Sequence, residues 1–302
     1  ARNFSFPAIF PGISCGMNWC VYHLATGSGF FLGTALVLAA LALGLASRPR
    51  IKALAALPCI VGLILIATSA TPLPEPFYVL AGFASLLWLA LYRTSRLQRL
   101  AHFAMALCAA CWIIGLLSEF PWHRMPVLNP TNERTLTIVA DSVTAGVGEK
   151  GTMTWPELMA ENHGVQVHNL SQMGETVSSA LERVRESNIG PGIVIVEIGG
   201  NDLLGGTDIV DFARNLDLLL AQLKSPGRQV VMFELPLPPF ANRWGQVQRQ
   251  LSKKHGVQLV PKRVLMGVLA GNAATLDSIH LTQEGHRRME QAVWGIVGPA
   301  LN

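Results

Sequence analysis

The sequence predicts an α/β domain, three layers around a five-stranded parallel sheet, preceded by an all-α region of about four transmembrane helices. Three observations predict it. Only 14% of the residues are charged, half are hydrophobic, and the mean hydropathy is +0.37, whereas soluble domains carry roughly 25% charged residues. The deficit is uneven: residues 1–118 hold seven Lys and Arg and one acid, Glu75, for a net charge of +6, while residues 119–302 hold 16 bases and 18 acids, a net charge of −2. Beyond residue 133, short β-branched runs alternate with helical periodicity, the pattern of a parallel sheet with crossover helices. This composition excludes disorder. The overall charge of +4 and pI near 8.9 come from one end of the chain, so no nucleic-acid partner is expected.

Four runs without a charged residue fill the first part, at 25–47, 53–74, 76–92 and 103–118, the last extendable to 100. Each approaches the roughly 17 to 25 residues of a spanning helix. Almost no polar face interrupts them, unlike the helices of a soluble hairpin, so a transmembrane region over 1–118 is expected. Pro58 and Pro76 fall near helix ends, and Gly44, Gly62, Gly82 and Gly115 are candidates for close helix packing. Arg48, Arg50 and Lys52 lie between the first two runs and Arg93, Arg96 and Arg99 between the last two, whereas the middle loop holds only Glu75. Basic loops face the cytoplasm. Everything after Ser118 is therefore expected on the periplasmic, extracytoplasmic side of a bacterial-type plasma membrane, with the lipid bilayer as partner. A cleavable signal peptide is not expected, because the first apolar run starts late and lacks a basic flank; Ala1 fits initiator removal or a truncated start.

The five cysteines all lie in this part. Cys15 and Cys20 could pair in an oxidising compartment, and Cys59, Cys108 and Cys111 read as small buried helix residues. No zinc-type Cys/His spacing occurs, so no metal is predicted, and no cofactor.

The stretch from Glu119 to Glu133, with three prolines, reads as a linker over 119–132, leaving 133–302 as the α/β domain. Strands are predicted at 135–140, 165–170, 192–198, 228–235 and 257–260, and helices at about 155–162, 176–187, 208–223, 243–255 and 283–297. The run Ile193-Val194-Ile195-Val196 suits a strand buried on both faces. Sites in such folds gather at the carboxyl ends of strands. There the sequence places Ala140-Asp141-Ser142-Val143-Thr144, Asn169-Leu170-Ser171-Gln172-Met173-Gly174 and Gly199-Gly200-Asn201-Asp202, with Asp277-Ser278-Ile279-His280 before the last helix. Together they fit acyl transfer: a Ser at a strand-to-helix turn, a His to take its proton, a carboxylate to hold the imidazole, and amides to meet an oxyanion.

In this order Ser142, Gly174, Asn201 and His280 resemble the SGNH (GDSL) hydrolase superfamily, over about residues 133–302, and within it the small thioesterase/lysophospholipase/arylesterase type. ADSVT stands for the GDS block, Gly174 for the glycine block, GGND for the asparagine block and DSIHLT for the Asp-x-x-His block. The resemblance implies a flavodoxin-like three-layer domain, with Ser142 as nucleophile, His280 as base and Asp277 orienting it. It also implies an oxyanion hole of Ser142 N–H, Gly174 N–H and the Asn201 amide. Ala140 departs from the usual glycine, which bears on the fine geometry of the turn.

Other motifs read more plainly. Asp202 is expected to cap the turn after it, His286 to be a surface helix residue, and His163, His168 and His255 to be surface or satisfied core residues. The G-x-S-x-G match at 12–16 has no strand before it. The G-x-G-x-x-G match at 146–151 follows a strand whose turn is already taken by Asp141-Ser142, so a loop bordering the active site is expected rather than a dinucleotide site. Leu203, Leu204, Leu235, Pro236, Leu237, Pro238, Pro239 and Phe240 could line an acyl pocket or pack a core.

The function expected is a membrane-anchored serine esterase acting on carboxylic or thio esters through an acyl-serine intermediate, with a lipid ester or acylated envelope glycan as substrate. An O-acyltransferase or deacetylase of a cell-envelope polysaccharide is the alternative, although relatives fused to membrane acyltransferases carry many more helices. A non-catalytic glycan-binding membrane sensor is the second alternative. It is disfavoured because the apolar runs hold no charged residue to mark a pathway.

Overall fold

The computed structural model describes residues 19–147, 151–271, 273–277 and 279–301. Ala1, Cys15 with its pairing to Cys20, the 12–16 motif, residues 148–150 of the glycine-rich loop and Ser278 lie outside the described residues. The helical part comprises α1 (Trp19–Ala25), α2 (Ser28–Gly44), α3 (Pro49–Ala53), α4 (Ala56–Thr68), α5 (Glu75–Leu91) and α6 (Gln98–Glu119). α2 and α4 touch backbone to backbone: a Cβ on Gly33 would lie 2.6 Å from the Gly62 carbonyl oxygen. Gly44 and Gly115 likewise face the Trp88 and Phe77 rings, but Gly82 has open space around it and marks no packing. Trp88, Trp112 and Phe30 fill the bundle core. The indole of Trp112 donates to Ser85 Oγ (2.9 Å), and Cys59, Cys108 and Cys111 are buried free thiols.

Two stretches, Pro49–Thr68 and Ser95–His123, are long and apolar enough to cross a membrane, whereas Ser28–Gly44 and Glu75–Leu91 are apolar but shorter. The last helix exceeds its uncharged run because Gln98 and Arg99 supply a polar first turn.

The second part is the expected α/β domain. Its strands are β1 (Thr135–Ala140), β2 (Gln166–Asn169), β3 (Gly192–Glu197), β4 (Arg228–Phe233) and β5 (Gln258–Val260), all parallel in the order β2-β1-β3-β4-β5. This is the flavodoxin-like order. Its helices are α7 (Ser142–Ala145), α8 (Trp155–His163), α9 (Val177–Glu186), α10 (Gly200–Gly205), α11 (Ile209–Leu223), α12 (Asn242–His255), α13 (Lys262–Leu269) and α14 (Gln283–Leu301). Alternate strand residues serve the two faces. Leu136, Ile138, Ile193, Ile195 and Phe233 pack with residues of α8, α13 and α14, and Val139, Val194, Val196 and Met232 with α9, α11 and α12. The short α7, α10 and α13 were not predicted.

The segment expected to be a linker is instead fixed at both ends. Leu128 joins the core beside β1, and Asn129 exchanges two hydrogen bonds with Gln229. Glu119 is fully buried at the end of α6, where Arg249 of α12 grips both its carboxylate oxygens (2.6 and 2.8 Å). The Nε of Arg249 donates to Glu234 (2.6 Å), just after β4, and its guanidinium lies 4.8 Å from the Trp122 ring centroid. Around it the two parts interlock: Lys262 Nζ donates to the Ala70 carbonyl, Gln246 to that of Leu73 (2.6 Å), and Arg263 to that of His123 (2.9 Å). Leu235 and Leu237, candidates for an acyl pocket, are buried with Ala70 in this interface.

Removing one partner of a buried ion pair strands the other without water, which costs ~3–5 kcal/mol. Arg249→Met is therefore expected to destabilise the full chain by about 3 kcal/mol or more, read as a lower unfolding midpoint in detergent. An unchanged midpoint would show that the cluster holds nothing together.

Candidate active site

β1 delivers the chain to a turn built around one side chain. Ala140 continues the strand in register with Glu197, fully buried, so its methyl is accommodated in the sheet core. Asp141 then leaves the strand. Its N–H donates to the Glu197 carbonyl (3.2 Å), and its Oδ1 accepts from the Val143 N–H (3.0 Å), capping α7. Ser142 is thereby the first residue of α7, where its own N–H has no intrahelical acceptor. From beneath, Trp155 Nε1 donates to Thr144 Oγ1 (3.0 Å) and that hydroxyl to Glu197 (3.0 Å), fixing the turn against β3.

The other segments converge on this turn. Gln172 N–H donates to the Ala140 carbonyl (3.1 Å), which brings the β2 loop across the end of β1, and Gly174 turns there with φ 73°. Gly199 opens α10 with φ 108°, and a Cβ at that position would lie 3.0 Å from the Phe212 ring; only glycine suits both demands. Asn201 follows on α10, one of its amide hydrogens donated to the Glu175 carbonyl (2.9 Å). The other remains for a ligand. Among the described residues the N–H groups of Ser142 and Gly174 have no protein acceptor.

Asp277 and His280 sit in a tight loop closed by the Thr275–Leu281 bridge. Asp277 Oδ1 accepts the N–H groups of Ile279 (3.2 Å) and His280 (2.9 Å), leaving Oδ2 for His280 Nδ1 (2.7 Å). His280 Nε2 lies 3.1 Å from Ser142 Oγ. With Nδ1 donating to the carboxylate, Nε2 is an acceptor for the Ser142 hydroxyl. Partial burial works against ionisation of Asp277, but the two backbone amides and the imidazole outweigh it and hold this carboxyl below its usual range.

A buried acid pair lies behind the serine. Desolvation raises the Asp141 carboxyl to about 6 against the opposing pull of the Val143 amide and His280, and desolvation together with the Asp141 charge raises Glu197 well above its ordinary value. Other residues depart from expectation in part or in full. Asp202 Oδ2 accepts from the Val177 N–H (2.8 Å) at the start of α9 across the site, and the carboxylate also engages Thr207 in the turn after α10. His286 is completely buried, not on the surface. Its Nδ1 accepts from the Trp155 N–H (3.3 Å) and burial lowers its basicity, which leaves a neutral ring beside a cavity of about 220 Å³ bounded by Gly146, Thr154 and Glu157. His163 pairs with Glu290 (2.5 Å) and His255 with Asp217 (2.6 Å). His168 is half-buried on β2.

Glu175 and Glu197 are supporting residues that the motifs did not single out, and Thr144, quoted only as part of ADSVT, supports the turn as well. An acid closing a β-branched run, as Glu197 closes Gly192–Glu197, was the available signal for one of them.

An α/β sheet with a Ser–His–Asp relay at its carboxyl edge is the arrangement of a serine hydrolase acting on ester bonds. Residues 141–288 match the GDSL-like Lipase/Acylhydrolase family, so this part of the chain is a domain of the GDSL/SGNH type. The arylesterase of Vibrio mimicus is 28% identical over 161 residues, which cover 49% of this chain and 80% of that protein. Esterase TesA of Pseudomonas aeruginosa is 26% identical over 181 residues, 56% of this chain and 90% of the relative. A crystal structure of TesA aligns with a TM-score of 0.49 at 27% identity, covering 55% of this chain and 99% of the other.

The raised Asp141 carboxyl has a consequence for stability. A carboxyl that holds its proton more tightly in the folded state contributes stability below its ordinary value of 3.8, and that contribution is lost as pH rises through about 6. Asp141→Asn keeps the capping oxygen and removes the buried charge. It is expected to flatten the fall in unfolding midpoint over this window; the same slope in both proteins would contradict the assignment.

Proposed function

We propose that the protein is a membrane-anchored serine esterase. It cleaves carboxylic or thio esters at the extracytoplasmic, periplasmic face of a bacterial-type plasma membrane, its substrate a lipid ester or an acylated envelope glycan. The observation that carries the reading is the unbroken relay from Asp277 through His280 to Ser142 Oγ. The esterase names of the relatives point the same way.

Ser142 Oγ attacks the ester carbonyl carbon while its proton passes to His280 Nε2. Asp277 holds the Nδ1–H tautomer and stabilises the imidazolium. The oxyanion that forms is met by the Ser142 and Gly174 N–H groups and the second amide hydrogen of Asn201, donors that need no reorganisation as charge develops. Collapse of the tetrahedral species breaks the bond to the leaving alcohol or thiol, which takes the proton from His280. Water then gives a proton to His280, attacks the acyl-serine, and restores the Ser142 hydroxyl as the acid departs.

Anchoring is supported by the outer face of the bundle, where Leu57, Ile64, Val79, Phe83, Phe103 and Leu117 are exposed. Apolar surface on this scale is unfavourable in water and suited to lipid. Sidedness is supported by charge. The basic residues of 48–52 and 93–99 cap the bundle at one end, and the hydrolase domain docks on the other, through Ala70, Leu73 and Glu119.

Three outcomes are expected. Ser142→Ala reduces turnover of p-nitrophenyl acetate by the full chain in detergent about 10⁴-fold or more; activity that survives would remove the nucleophile. Asp277→Asn, which keeps the shape but favours the wrong imidazole tautomer, lowers kcat about 10³- to 10⁴-fold with little change in KM. Alkaline phosphatase fused at Asn302 is active in intact cells, whereas an inactive phosphatase with a fluorescent cytoplasmic reporter at the same position would reverse the topology.

A further inference from the structure

The edge of the sheet that carries the active site is also the edge that rests on the bundle. Ser142, Asn201 and Gly174 follow the carboxyl ends of β1, β3 and β2. Glu234 and Lys262, which follow β4 and β5, lock onto Glu119 and Ala70 through the contacts already described. α10, which presents Asn201, touches this interface directly, because Leu203 packs with Ala70, Leu235 and Leu237. The reacting serine therefore opens beside the outer end of the bundle, not on the far side of the domain.

Exposed apolar side chains flank the site on this edge. Met173 precedes Gly174, Leu204 lies one turn beyond Asn201, Ile279 precedes His280, and Phe240 sits in the loop after β4, and all four are exposed. Phe240 is 79% exposed and holds φ 69°, a backbone region that bulky residues seldom occupy. Among the described residues, neither a buried contact nor a hydrogen bond accounts for a phenyl ring held there. Three residues later, Arg243 reaches Glu75 at the outer end of α5 (3.9 Å), and below Glu75 the exposed face of α5 continues with Val79, Leu80 and Phe83. An apolar surface thus runs from the wall of the bundle, past a polar seam at Glu75, to the rim of the site.

Resting on the reading of a membrane-anchored serine esterase, we propose that this rim dips into the lipid that surrounds the bundle. The substrate is then a membrane-resident ester whose acyl chain passes laterally over Phe240 and Leu204 to Ser142. The bilayer is the partner that fits, because the Arg243–Glu75 contact sets the loop carrying Phe240 beside the exposed apolar face of α5. Anchoring also holds the site at the height of the ester groups of neighbouring lipids, where the local substrate concentration is high. An acylated glycan in the aqueous phase would gain nothing from exposed phenyl and leucyl groups.

The test uses the full chain reconstituted in phosphatidylcholine vesicles. Two rates are compared in one preparation: hydrolysis of 4-methylumbelliferyl palmitate lodged in the vesicles, and of p-nitrophenyl acetate in solution. Phe240→Gly removes the ring and suits φ 69° better than phenylalanine does, so folding is preserved. The ratio of vesicle-lodged to soluble turnover is expected to fall about tenfold in Phe240→Gly, to fall similarly in Leu204→Ser, and to recover in Phe240→Trp. A ratio unchanged in the first two variants would overturn the inference, as would faster release of acetate from an acetylated oligosaccharide than of fatty acid from the vesicles. Loss of soluble turnover in Phe240→Gly would put the ring in the reaction centre and overturn it as well. A wild-type chain inert on p-nitrophenyl acetate would instead bring down the esterase reading itself, a result distinguishable from the others.

Discussion

Arg249 is bound by two carboxylates that come from the two halves of the chain, Glu119 at the end of the last bundle helix and Glu234 at the end of a sheet strand. Buried charges add little net stability compared with well-packed apolar groups. What they add is a geometry that cannot slide, because each displaced donor or acceptor would lose its partner in a site without water. Here the geometry sets the carboxyl edge of the sheet against one end of the bundle. Since that edge is where parallel α/β folds build their sites, docking and catalysis share one surface, and the direction in which the active site opens is a consequence of the docking.

The site itself rests on buried polar groups arranged in layers. Asp141 caps the helix that presents Ser142, Glu197 receives the backbone of Asp141 and the hydroxyl of Thr144, and Asp202 caps the helix behind Gly174. Desolvation holds Asp141 and Glu197 toward their neutral forms. In this surrounding Asp277 differs from the other acids. It is the exposed one, and its amide partners keep it ionised, which is the state needed beside an imidazole that must gain and lose a proton.

Much of this was legible in the sequence because it is written locally. The β-branched runs before Asp141, Gly199 and Glu234 mark strands buried on both faces, and the site residues follow them directly. His286 was misread although its periodicity was available: it stands on the α14 face that continues through Met289, Val293 and Ile296, all buried. Asp202 bonds to Val177, 25 positions away, and Glu119 to Arg249 across 130. No local pattern records such contacts. For the same reason Leu235 and Leu237, which follow a strand as pocket residues would, turned out to be buried under Ala70 of the bundle. The short α10 and α13 escaped because one or two helical turns carry too little periodicity to separate from a loop.

Labelling with an alkyl fluorophosphonate followed by peptide mass spectrometry shows whether Ser142 is the nucleophile of an assembled relay. A single covalent adduct is expected on Ser142 in the full chain in detergent, formed more slowly in Asp277→Asn. An adduct on another hydroxyl, such as Ser171 or Thr144, or no adduct in a folded chain, would contradict that role.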